Sequence, residues 1–413
     1  MRSFRFAGWA ALVVFLGAVG CKVYDESMLL QADAGIVGSP AGKTENGTGW
    51  WSGRDPQSSC YSARMPSAAD RPKNTTAGDV GALMFAIRTM RLGSRNPKGE
   101  LDPAAWQGIG FDLDGLCTQS PTCPTVGEPP LSCKPTSAAI PADGTYCRDN
   151  NFGNLEYLIT TNADIQARFR LSDPTFNCSI CQGAYNMLFR VSGYNGLPDD
   201  SAVRVDIYPS PGLDELKTVD CTQDTWDTTA CWDQSDPWQV QTNYVPSGIS
   251  GDKIGDSTLY DPSAFVRGGY VIASLPANTE FWFPGTRGVA QAFPLILQGG
   301  IVTGALKKDS HGQWTIEDGM IAGRLKSTDA ISAFQKIGMC KDDPLFMGAQ
   351  LYAKTSADVL SSGDVVPESP CDAVSVGLAF TAGQASVGTL TDVAPLVPCE
   401  TSDAGAADSA ADN

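Results

Sequence analysis

Glycine and proline interrupt this chain so often that long helices have nowhere to form. Its 413 residues include 43 glycines and 27 prolines. A proline inside a helix removes a hydrogen bond and clashes with the preceding turn, and glycine weakens helix and strand interiors alike. What survives between the breaks are short runs rich in β-branched and aromatic residues, the signature of strands. Residues 83–89 read as a strand, with a short helix as the alternative. Residues 186–192 and 202–208 read as a hairpin around Gly193-Tyr194-Asn195-Gly196. Residues 269–275, 293–297, 300–306, 313–316, 320–325 and 374–381 continue the series, and only 155–161 and 329–336 read as short helices. Short strands at this spacing predict a mainly β protein, an antiparallel β-sandwich of jelly-roll type with long disulfide-pinned loops. A single domain over 49–399 is expected, with a possible seam at 220–251 and an acidic, disordered tail at 400–413.

The N-terminal segment carries an address. Arg2 and Arg5 precede an apolar run over 7–18 that is too short to cross a bilayer and has the layout of a signal peptide. It ends in Leu16-Gly17-Ala18-Val19-Gly20-Cys21, which resembles a bacterial lipobox with Ala18 in place of the usual leucine. That resemblance implies cleavage after residue 20 and acylation of Cys21, giving a palmitate-type membrane anchor. Residues 21–48, rich in small and acidic side chains, then read as a tether. An ordinary secretory signal is the alternative. Lys22 in place of an aspartate favours the outer over the inner membrane.

Thirteen cysteines less Cys21 leave twelve, an even number that predicts disulfides in an exported chain. Short loops favour Cys123–Cys133, Cys221–Cys231 and Cys340–Cys371. Cys178 and Cys181 have thioredoxin spacing but lack a βαβ context, so they read as structural. An oxidising compartment also argues against zinc on these thiols. The formal charge of −17 repels nucleic acid and anionic lipid headgroups. His311 is the one histidine, in a turn, and no phosphate loop, nucleophile elbow or H-E-x-x-H occurs.

Two constellations remain. In Gly108-Ile-Gly-Phe-Asp-Leu-Asp-Gly115, Asp112 and Asp114 alternate with apolar residues and so share one strand face. Asp143, Asp149 and Asn150 supply further oxygens across four cysteines. Calcium takes six to eight such ligands, so a structural calcium is one reading. Turn-capping carboxylates and a catalytic pair are the others. Trp226, Trp232 and Trp238 recur among aspartates and suit either sugar stacking or pinning of a loop onto the sheet.

Cys21 followed by Val23-Tyr24-Asp25, the run Phe111-Asp112-Leu113-Asp114-Gly115, Asp149-Asn150 and Arg190-Val191-Ser192-Gly193-Tyr194-Asn195-Gly196 together resemble the cell-envelope lipoproteins of unknown function found in multiple copies in myxobacteria. The resemblance implies an envelope location and brings no activity or catalytic residues. The functional expectation is a non-enzymatic binding or structural module for a glycan or an envelope protein. The alternative is an exported polysaccharide hydrolase working through carboxylates.

Overall fold

Seven of the eight staves of one closed antiparallel barrel in the computed structural model come from runs expected above, and the eighth, over 259–267, is not among them. The structure describes residues 53–54 and 61–393, apart from 74, 124–126, 138–139, 162–172, 220–230, 252, 285–289, 337–340 and 342–343. In chain order the staves are β1 (Leu83–Arg91), β2 (Asn186–Ser192), β3 (Asp200–Ser210), β4 (Leu259–Arg267), β5 (Tyr270–Ser274), β6 (Leu297–Lys308), β7 (Trp314–Lys326) and β8 (Ala373–Gln384). Each pairs with the next, and β8 returns to β1, which makes an up-and-down meander. The expected sandwich is thus corrected to a barrel. Alternation along a strand says that one face is covered, but only the β8–β1 pairing closes the sheet. The strands that flank 220–251, β3 and β4, pair directly.

The lumen is filled by side chains. Phe189 on β2 and Phe380 on β8 are separated by β1, yet their rings stack with centroids 5.7 Å apart. Side chains from alternate strands converge in this way on the concave side of a barrel. Phe85 and Ile207 stand directly opposite Phe189 in register and therefore face inward with it. All three are essentially inaccessible. An eight-stranded barrel is just wide enough for such a filling.

The outer face is covered as well. Helix α1 (Asn151–Thr160) packs on β8, and α2 (Asp173–Gln182) packs on β1. Helices α3 (Ser327–Lys336) and α4 (Pro344–Thr355) pack on each other. Among the described residues no helix is long and apolar enough to cross a membrane. Asp206 on β3 is fully buried and accepts from Arg190, Arg204 and the N–H of Ser257.

Closure is incomplete at the end of the barrel where β8 begins. The β8–β1 ladder stops at Ala379 and Arg91, so 373–378 have no β1 partner. Side chains stand in for the missing strand. Ser375 N–H donates to Asp358 Oδ1 at 2.8 Å, and Gly377 N–H donates to Asn150 Oδ1 at 2.9 Å. On the other side of β1, pairing with β2 stops at Ala86. Beyond it, the Asn186 carboxamide bonds both backbone groups of Ile87, and Asn177 of α2 bonds both of Met90.

Candidate metal centre

Residues 108–113 lie flat on the outside of the barrel because glycine faces glycine there. A Cβ on Gly377 would come within 2.7 Å of the Gly110 Cα, and Gly110 itself has φ +104°. Phe111 and Leu113 then join Phe265, Ile272, Ile301 and Ala322 in a separate apolar cluster on that outer face. Asp112, between them, bridges to Arg64, and Phe111 bridges to Asp149, so three short extended pieces run side by side.

The disulfides fix this layer, in pairings other than those expected from loop length. Cys117 bonds Cys147 within the layer, and Cys133 bonds Cys371, just before β8. Cys181 bonds Cys231. These bonds overturn Cys123–Cys133, Cys221–Cys231 and Cys340–Cys371, because the fold brings distant cysteines closer than neighbouring ones. Cys123 and Cys178 are also disulfide-bonded, which fits a structural role for Cys178 and Cys181. Cys21, Cys221, Cys340 and Trp226 lie outside the described residues.

Within the layer Asp112 and Asp114 cap turns of their own segment, whereas Asp143 and Asp149 tie residues 25 and 36 positions away. Asp112 accepts from Gly115 N–H at 2.6 Å and from the Ser62 hydroxyl. Asp114 accepts from Leu116 N–H, Asp149 from Leu113 N–H and Asp143 from Thr118 N–H. The turns also converge. One oxygen each from Asp112, Asp114 and Asp149 lie within 4.8 Å of one another. Calcium–oxygen distances of about 2.3–2.6 Å put opposite ligands about 4.6–5.2 Å apart, so the three fit a single coordination sphere. Asp143, Asp149 and Asp114 line a pocket that Asp358 enters from the barrel side, with room for about one water-sized sphere. That is the size of an ion, and too small for a sugar.

Burial is the first cause of the electrostatics here. It raises the Asp114 carboxyl against the bonds from Ser132 and Leu116. It pushes Asp143 and Asp149 well above the usual carboxylate range, and the neighbouring charge of Asp114 adds to the shift of both. Asp358 is pushed up to about 7 by burial, which outweighs its bonds from Ser375. Arg324 reaches the edge of the group, where it donates to the carbonyl of Leu113. One guanidinium leaves an excess of negative charge that a proton or a cation would neutralise.

Not every residue singled out in the sequence takes part. The Asn150 amide oxygen accepts from Gly153 and Gly377 N–H, which spends it on α1 and β8. Trp232 and Trp238 are buried, with ring centroids 5.2 Å apart in an edge-to-face contact, so they form core and not a sugar platform. His311 stands exposed in the β6–β7 turn. Asp358 and Arg324 were not legible, because both lie some two hundred residues along the chain and carry no local motif. No protein-family model, curated protein or solved structure matches the chain.

Proposed function

We propose that the protein is a lipid-anchored envelope protein whose barrel is a non-enzymatic binding or structural module for a glycan or an envelope protein. In this reading the layer over 108–154 is clamped by a structural calcium ion. The observation that carries it is the use made of the buried carboxylates. Each holds a backbone N–H of its own layer or of β8, and the space between them takes one small occupant. Hydrolysis of a glycoside needs a carboxyl pair spaced around a sugar, and this pocket admits none. The filled lumen supports the same conclusion, since it leaves the loops and the outer surface for recognition.

A glycan array combined with a reducing-sugar assay tests the function. Retention without sugar release is the expected result, and release from a retained polysaccharide would establish the hydrolase instead. Labelling of cells with a clickable palmitate tests the anchor, which should mark the wild type and spare Cys21→Ala.

A further inference from the structure

We infer that a neutral oligosaccharide binds the outer wall of the barrel at Tyr260. With Trp232 and Trp238 buried, the exposed aromatic side chains among the described residues are Tyr260 on β4 and Tyr352 on α4. Tyr260 stands in a polar frame. Register puts Arg190, Asp206 and Tyr260 in a row across β2, β3 and β4, and Arg204 shares their face because it is two residues from Asp206. Asp206 is wholly buried and pairs with both guanidinium groups, which holds them in place. The Arg204 Cζ lies 4.0 Å over the centre of the Tyr260 ring, a cation–π contact that fixes the ring in turn. Tyr260 is still 42 % exposed, and with one face under the guanidinium that exposure belongs to the other face and the rim. The β4–β5 ladder runs over 265–267, so among the described residues no strand is paired beside Tyr260 on that side. Pro262, exposed two residues on, lacks the N–H that such a ladder would use.

Polar atoms beside the ring are left over for a ligand. Asp206 takes Nε and Nη2 of Arg204, while Arg190 takes Oδ1 of Asp256. Arg204 Nη1, Asp256 Oδ2 and the Tyr260 hydroxyl make no hydrogen bond among the described residues. The Asp256 side chain is 68 % exposed and its Oδ2 lies 3.7 Å from Nη2 of Arg204, so donor, acceptor and ring share one patch. A fixed aromatic face beside a guanidinium and a carboxylate is suited to a sugar, with C–H groups on the ring and hydroxyls on the charged groups. Binding then orders little of the protein, since ring and guanidinium are already held. Charge selects among sugars. Arg190 and Arg204 balance Asp206 and Asp256, which leaves no surplus positive charge for an acidic polysaccharide, and a chain of formal charge −17 repels one. The inference deepens the glycan arm of the function proposed above and rests on it.

The test presents the detergent-solubilised full chain to immobilised cellohexaose, laminarihexaose, xylohexaose and mannohexaose, with hexagalacturonate as the acidic probe. The wild type should be retained on a neutral probe and pass over hexagalacturonate. Tyr260→Ala should weaken retention about tenfold, the loss of one aromatic stack, and Tyr260→Phe less. Tyr352→Ala should leave retention unchanged. A second measurement needs no variant: carbodiimide labelling of the wild type, read by peptide mass spectrometry. The retained sugar should shield Asp256 severalfold and leave the exposed Asp233 as reactive as before. A retained neutral sugar that leaves Asp256 unshielded, or equal retention by Tyr260→Ala, overturns the inference and leaves the glycan-binding reading standing. Retention on hexagalacturonate alone also overturns it. If the wild type binds neither these probes nor the wider glycan array, the inference falls together with the glycan arm of the function.

Discussion

Asp206 shows how much a single residue can hold in this barrel. It is inaccessible and paired with two arginines and a backbone N–H. Arg190 and Arg204 keep Asp256 as a second partner, so the cost is that of lost charge-assisted hydrogen bonds, about 1.5–3 kcal/mol, and not that of a stranded buried charge. Asp206→Ala should therefore lower the urea midpoint by that equivalent, and an unchanged midpoint would refute the assignment. Asp70 gives a pH-dependent counterpart. Burial alone would raise its carboxyl, but the bonds from Arg64 and Ser67 outweigh burial and hold it below the usual range. A lowered carboxyl stabilises the fold above its unfolded-state value, and that stability is lost as pH falls through the folded value. Asp70→Asn should melt below the wild type at pH 7, and the gap should close as the pH is taken below the carboxylate range. At this scale Asp112 and Asp114 were legible because alternation placed them on one face. Asp358 was not, since nothing local distinguishes an aspartate that meets them only after folding.

Among the elements, the layer over 108–154 makes the clearest prediction. If calcium sits between its carboxylates, ten millimolar calcium should stabilise the protein by about 1.5–3 kcal/mol for a dissociation constant of about 0.1–1 mM. Magnesium should do less, because it demands tighter octahedral geometry. Asp114→Asn should abolish the response in a thermal melt while the disulfides keep the layer in place. Identical melts with calcium and with a chelator would leave these carboxylates as turn caps alone. The strand surrogates are testable in the same way. Asn177→Leu or Asn186→Leu strands two buried backbone groups, each costing about 1–3 kcal/mol, and should speed amide exchange at Met90 or Ile87. Strand boundaries were legible where they follow alternation, as in β2 and β8. β7 was split in two because Glu317-Asp318-Gly319 resembles a turn. It is a bulge in which Asp318 takes φ +49° and the ladder resumes. Helix α2 is not among the helices expected from the sequence, although Phe176 and Ile180 are four apart and buried, the spacing of one helix face.

For the molecule as a whole, the Cys133–Cys371 bond matters more than its distance from the lumen implies, since it joins residues 238 apart at the entry to β8. Replacing both by serine should cost about 2–5 kcal/mol, read as a lower melting temperature under oxidising conditions that reductant no longer changes as much. Overall architecture was only half legible: the strands were local, and the ring they form was not. That ring has a kinetic consequence. β1 cannot complete its ladder until residues 379–384 arrive, so the first staves must wait for the last before the core is sealed. Pairings of such long sequence separation fold slowly, on the millisecond-to-second scale. Until that last stave is paired, the sheet is open and presents unpaired strand edges, the state in which a chain of this kind is most exposed to pairing with another copy.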